Sequence, residues 1–268
     1  MEIKLKDISF KYPNKEYILK NINITIESNK ITGIIGKNGS GKTTLLELIS
    51  NLLTPTNGTI TYNKKDIDKK HIGYIFQNPK SMFFKNTVKE EIELGSLVYN
   101  YRVKDLDKRI KEVLKIVKLK ENILNKNPFE LTNNESKKVA LASILIYNPK
   151  IIILDEPTLN LDYKTKKELI ILLKLLKNKY NKTIVVVSHD IDLINELCDN
   201  IILLNNGEII DYNTKFEVLK NVKELKQCGL LPPKTILFSE KVLNKKGIKL
   251  GYRTEINDLI KDIYRNVY

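Results

Sequence analysis

The chain has 268 residues, 42% of them apolar, which suits one large domain, or one domain with an appendage, around an ordinary soluble core. No apolar run reaches the ~18 residues of a membrane-spanning helix, MEIKLKDISF lacks the apolar core of a secretory signal, and Cys198 and Cys228 are too few for a disulfide framework or zinc site, which points to a reducing cytosol. The formal charge of +14 comes from 46 basic residues, nearly all lysines scattered over every segment; it reads as solvated surface, with an anionic membrane face as the next reading, and no nucleic-acid partner is expected.

In chain order, Ile3, Leu5, Ile8 and Phe10, then Ile22, Ile24 and Ile26, alternate with polar residues and predict antiparallel strands. ITGII at 31–35 reads as a buried strand, followed by a glycine-rich turn and a helix from Lys42 to about Leu53. Further strands are expected at 59–62, 72–77, 151–154 and 183–188, set among helical patterns as in an α/β domain with a largely parallel sheet. Between about 78 and 148 the pattern is helical, as an inserted subdomain would be. Asn206-Gly207 predicts the turn of a hairpin over 201–211. Beyond about Thr214 short helices follow, broken by GLLPP and KKG.

The run Gly36-Lys37-Asn38-Gly39-Ser40-Gly41-Lys42-Thr43 fits the G-x-x-x-x-G-K-[ST] phosphate-binding loop, and Thr44 continues it into the helix. Glycines let backbone amides curl around phosphate oxygens, and the helix N-terminus adds partial positive charge. Lys42 can neutralise β- and γ-phosphates, and the Thr43 hydroxyl can ligate magnesium. IIILDEPT places Asp155 at a strand's carboxyl end, suited to the magnesium shell, with Glu156 beside it to polarise a water. His189 and Gln77 also end apolar strands, where ligands of parallel sheets gather. His71 reads as structural or solvated.

In this order GKNGSGKT, Gln77, IIILDE, LNLD ending in Asp162, and VVSHD resemble the ATP-binding cassette (ABC) ATPases over residues 1–215. FQNP, and GL, LP and an amphipathic helix in the tail, look more narrowly like energy-coupling-factor and cobalt-type importers. The resemblance implies a P-loop NTPase fold of the ABC class, α/β, with an N-terminal antiparallel β-subdomain, a helical subdomain near 78–148 and a helical extension over 216–268. It implies ATP and Mg²⁺ as ligands, with Tyr12 stacking on adenine. Lys42, Gln77, Glu156 and His189 would then be catalytic, and Thr43, Gln77 and Asp155 would hold the metal.

The resemblance further implies a sandwich dimer in which each ATP meets the other subunit's signature, usually LSGGQ. Here that text is Leu131-Thr132-Asn133-Asn134-Glu135, a sound capping box but a poor phosphate clamp. With Asp162 it would form the dimer interface. An intact P-loop paired with this signature favours a heterodimer with a second cassette subunit over a homodimer. An integral membrane subunit is the other expected partner, with this chain peripheral on the cytoplasmic face of the cell membrane and powering uptake of a vitamin or metal ion. Lys80 follows FQNP where the narrower family carries an acid, so the membrane partner's contact surface is expected to differ. The alternative is a non-transport ABC ATPase acting on nucleic acid or ribosomes. Against it, no sustained heptads lie between Lys42 and Asp155, and only one cassette is present.

Overall fold

The structure is a computed structural model that describes residues 1–65, 69–99, 104–248, 250–253 and 256–267. Strand β1 (Ile3–Phe10) buries alternate side chains and lies between β2 (Leu19–Ile26) and a later strand, β4 (Asn57–Tyr62), both antiparallel to it. Leu5 sits opposite Ile24 on one side and Ile60 on the other. The segment 59–62 therefore joins this sheet rather than the parallel one. The reason is its pattern: NGTITY alternates polar and apolar residues, starts exposed and buries only Tyr62, whereas a central parallel strand is apolar on both faces.

Strand β3 (Ile31–Ile35) belongs to the second sheet with β5 (Ile72–Ile75), β6 (Ile151–Asp155), β7 (Thr183–Val187), β8 (Asn200–Asn205) and β9 (Glu208–Thr214). The order is β5-β6-β7-β3-β8-β9, parallel throughout except for the antiparallel edge strand β9. Every residue of β3, β6 and β7 is buried. Alternate residues face two cores. Ile153, Val185 and Ile34 pack with the antiparallel sheet and α1 (Lys42–Ile49), while Ile152, Val186 and Ile35 pack with the remaining helices.

Helix α1 ends four residues earlier than its sequence suggests. Asn51 adopts φ 58°, and the amides of Leu52 and Leu53 turn back to the Glu47 carbonyl, which closes the helix. Strand β5 likewise stops at Ile75, releasing Phe76 and Gln77 from the sheet. Helices α2 (Val88–Val98), α3 (Leu106–Ile116) and α4 (Asn133–Leu145) then follow; α4 packs on α2, α3 and β5. Helix α5 (Tyr163–Tyr180) follows β6, and α6 (Ile191–Leu197) follows β7.

The β8–β9 hairpin turns at Asn206 and Gly207, both at positive φ as a type I′ turn requires. Helices α7 (Lys215–Lys220), α8 (Val222–Gln227), α9 (Lys234–Lys246) and α10 (Ile256–Val267) complete the chain. They are tied to α6: the Lys234 amide donates to Asp192 at 3.2 Å, and the Tyr252 hydroxyl to Asn195. Among the described residues no helix is long and apolar enough to cross a membrane.

Candidate nucleotide-binding and hydrolysis site

The site lies at the carboxyl ends of β3, β6 and β7, where β3 feeds the glycine-rich loop. Gly36 is fixed by close approach, since a Cβ there would stand 2.2 Å from the Leu204 carbonyl oxygen and 2.6 Å from Ser40 Oγ. Gly41 caps α1 at φ 100°, a left-handed geometry that glycine adopts without strain. It offers no side chain to the cap, so the first amides of α1 keep their donors for an anion. Ser40 is buried with its hydroxyl unpartnered, and its carbonyl accepts from the Gly207 amide at 3.1 Å. An orphaned hydroxyl beside a helix start with no side-chain cap suits the oxygens of a phosphate. Lys37, Asn38 and Gly39 form the exposed tip, and Thr44 is buried behind it.

The Lys42 ammonium folds back to donate to the carbonyls of Gly36 and Lys37, both at 2.9 Å. Burial pulls its pKa down, against the attraction of Glu156 and Asp155. From the exposed first turn of α1, the Thr43 hydroxyl reaches Asp155 Oδ2 at 3.4 Å. Two hard oxygen donors thus meet across the crevice, and they fit a magnesium ion. Gln77 offers an amide oxygen of the same kind but is exposed in the loop after β5 and, among the described residues, shares no hydrogen bond with either.

Glu156 continues the β6–β7 ladder through its amide, which donates to the Val187 carbonyl at 3.0 Å, yet its φ is 46°. That left-handed backbone is strained for a glutamate and turns the side chain across β7. Its Oε2 accepts from Ser188 Oγ and from the His189 amide, both at 3.3 Å. Oε1 lies 3.3 Å from His189 Nε2 but lacks an aligned hydrogen bond. Burial raises the pKa of Glu156, opposed by His189, and burial raises that of Asp155, opposed by Thr43, Lys42 and His189. Two buried carboxylates beside one lysine leave a site poised to gain cationic charge. His71 ends a single helical turn ahead of β5, and its carbonyl accepts the Lys150 amide at 2.9 Å.

Tyr12 packs edge-on against Phe10, centroids 5.0 Å apart, and its hydroxyl donates to Glu47 at 3.4 Å. Thr132, Asn133, Asn134 and Glu135 start α4 and share no hydrogen bond with residues 36–44 among the described residues, so within one chain the signature and the P-loop are separate. The capping box is fully formed. Asp162 caps α5, accepting from the Thr165 amide at 3.0 Å and its hydroxyl at 2.7 Å, and these bonds hold its pKa down. Lys80 does not project freely: its ammonium donates to the Phe129 carbonyl at 2.7 Å.

Sequence reasoning missed three participants. Ser188 precedes His189 and binds Glu156, Glu47 holds Tyr12, and Lys137 donates to carbonyls just beyond Glu156. Glu47 lies one helical turn after Thr43, a spacing that puts both on one face of α1 and could have flagged it. Ser188 and Lys137 carry no such local signal.

The family model described as ABC transporter matches residues 19–159. An energy-coupling factor transporter ATP-binding protein, EcfA2 of Caldanaerobacter subterraneus, is 35% identical over 93% of this chain and 92% of its own length. EcfA of Methanocaldococcus jannaschii is also 35% identical, over 97% and 96%. Among solved structures, cbiO1 from Clostridium perfringens, part of the ABC transporter complex cbiONQ, superposes with a TM-score of 0.75 at 29% identity, covering 91% of this chain and 95% of that one. The cassette MJ0796 bound to ADP and Pi gives 0.72 at 33% identity, over 80% and 98%. With its glycine-rich loop, paired carboxylates and strand-end histidine in one crevice, the chain belongs to the ABC transporter family, as an ATPase of the energy-coupling-factor type.

Proposed function

We propose that this chain is a motor subunit of an energy-coupling-factor-type membrane importer, acting as one half of an asymmetric ATPase heterodimer. The single observation that carries the asymmetry is the pairing of a complete P-loop crevice with the Thr132-Asn133-Asn134-Glu135 helix start. Residues 1–215 form the cassette and 216–268 its extension. The loop from Gly36 to Thr44 grips the triphosphate, and Tyr12 stacks on the base. Thr43, Asp155 and Gln77 would hold magnesium, which would supply charge neutralisation to the phosphates. Lys42 leaves the Gly36 and Lys37 carbonyls for phosphate oxygens, Glu156 orients the attacking water, and His189 and Gln77 complete the γ-phosphate end.

The signature helix is expected to serve the partner's nucleotide poorly. Asn133 and Asn134 bring side chains where bare backbone would approach a phosphate. At ~4 Å and an effective dielectric of ~20, a carboxylate and a phosphate charge repel by roughly 4 kcal/mol. The Glu135 carboxylate is turned back into its cap, and Lys126 lies 3.5 Å away, so part of that repulsion is offset. A homodimer would carry two such sites; a partner with a good signature gives one competent site.

A membrane subunit is supported by an apolar surface around the loop after β5. Leu52, Phe76, Phe84 and Val98 are exposed there and line a groove of about 250 Å³ together with Tyr74 and Tyr147. An exposed cluster of this kind marks a protein partner, which supports the reading of a chain held peripherally on the membrane's cytoplasmic face through that partner. The test is affinity purification from detergent-solubilised membranes through a tag on this chain. A second cassette protein and a multi-span protein should copurify, with ATPase activity well above that of the chain alone. Equal turnover by the chain alone would overturn the heterodimer.

A further inference from the structure

Lys137 lies on α4, two residues beyond the capping box. Its ammonium donates to the Pro157 carbonyl at 2.8 Å and to the Leu159 carbonyl. Those carbonyls belong to the segment that leaves Glu156 and runs to Asp162, the cap of α5. The segment has no regular structure. It is held by two turn bonds, Leu159 to Glu156 and Leu161 to Thr158, each 3.2 Å, and it begins at the strained backbone of Glu156. The neighbouring lysine does something else: Lys138 pairs with Glu168 on α5 at 3.1 Å. Lys137 also shares a crevice with Gln77 and Pro157, so the loop after β5, the signature helix and the exit from β6 meet at one cation.

We propose that the Lys137 ammonium is a positioning clamp that fixes the segment after Glu156 to the signature helix. When that helix shifts at the nucleotide across a dimer, the clamp carries the shift to the carboxylate of this chain's own site. The relay to a second nucleotide rests on the dimer reading above; the clamp itself does not. Lys137 donates to backbone carbonyls beyond Glu156 and not to its carboxylate, so its action is on the aim of Glu156.

The clamp is charge-assisted, and such bonds are stronger than neutral ones. The charged groups facing it are Glu156 from the end of β6 and Lys166 from α5, with Lys118, Lys138 and Glu168 lining the adjoining crevice. Burial, opposed by Glu156 and reinforced by Lys166, brings its pKa to about 8. The clamp therefore holds its full charge below that pH and weakens above it.

Two readouts test it on Lys137→Met and Lys137→Arg. In hydrogen–deuterium exchange of the nucleotide-free chain, Lys137→Met should speed exchange of amides 158–162 by about 5-fold or more while β6 stays protected. In the complex purified through a tag on this chain, Lys137→Met should cut kcat by about 10-fold with less than about a 2-fold change in KM. The pH profile of kcat/KM, which reports groups of the free enzyme, should fall in wild type with a midpoint near 8. Lys137→Arg should restore most turnover and remove that fall. Unchanged exchange in Lys137→Met, or an alkaline limb that persists in Lys137→Arg, overturns the clamp. A wild-type complex without turnover that still shows the exchange difference supports the clamp and counts against the dimer reading instead.

Discussion

Thr132 and Glu135 close on each other at the start of α4: the Thr132 amide and hydroxyl donate to Glu135 Oε2 at 3.0 and 2.8 Å, and the Glu135 amide donates back to Thr132 Oγ1 at 3.3 Å. These bonds hold the Glu135 pKa down, with Lys126 adding to them. The helix start is thus stable and negatively charged where a partner's phosphates are expected. Glu135→Gln should keep the geometry and remove the charge, raising ATPase of the purified complex by about 2- to 5-fold. Thr132→Ala should instead cost about 1 kcal/mol of stability, seen as a Tm about 2–4 °C lower by calorimetry. Unaltered ATPase in Glu135→Gln would show that this carboxylate does not limit the second site.

Glu156→Gln should bind ATP and abolish turnover, trapping nucleotide that filter binding or gel filtration can count. Wild-type-like hydrolysis would remove Glu156 from its assigned role. The same variant has a stability consequence. Burial raises the Glu156 pKa above its ordinary value of 4.5, so ionising it costs the folded state free energy at pH above the folded pKa. That cost vanishes once pH falls below the unfolded value. Glu156→Gln should therefore raise Tm by about 1–3 °C at pH 7 and leave it unchanged near pH 4. In wild type, activity should decline on acidification at a higher pH than an ordinary carboxylate would give.

Tyr12 donates its hydroxyl to Glu47, and its ring is the proposed stack for the base. Tyr12→Ala should weaken ATP binding by about 10-fold, the scale of one lost base–aromatic stack. Tyr12→Phe keeps the ring and should lose less than about 3-fold, the worth of one long hydrogen bond. Titration with a fluorescent ATP analogue distinguishes them. Equal losses in both would mean that the hydroxyl, not the ring, holds the nucleotide.

Gly95 tests the helical layer without touching the site. A Cβ there would lie 2.2 Å from the Ser143 carbonyl oxygen, which joins α2 to α4. Gly95→Ala should force the helices apart at a cost of about 1–3 kcal/mol. Thermal unfolding should show the loss. A variant of wild-type stability would mean that α2 shifts freely on α4.

Much of the site was readable because its chemistry is local. The spacing of Gly36, Gly41, Lys42 and Thr43 specifies a strand, a turn and a helix start within eight residues, and the run ahead of Asp155 and Glu156 specifies a buried strand end. Where the reading failed, a competing local signal or a distant partner decided. Helix α1 stopped at Ile49 because Asn51 accepts a left-handed backbone. Strand β4 went to the antiparallel sheet because β1 offered it an edge and its own pattern suited one buried face.

By itself the sequence determined where the strands of the site lie to within a few residues, and that a phosphate-binding motif precedes a pair of carboxylates, because each of these is set by residues within a few positions of one another. The tertiary structure decided the strand order that puts β6 and β7 side by side. It therefore decided that Glu156 would meet Ser188 and His189, that Thr43 would meet Asp155, and that Lys137 would reach the carbonyls of Pro157 and Leu159. Those meetings join residues far apart in the chain. Their distances follow from crossovers and helix packing, which no short stretch of residues encodes.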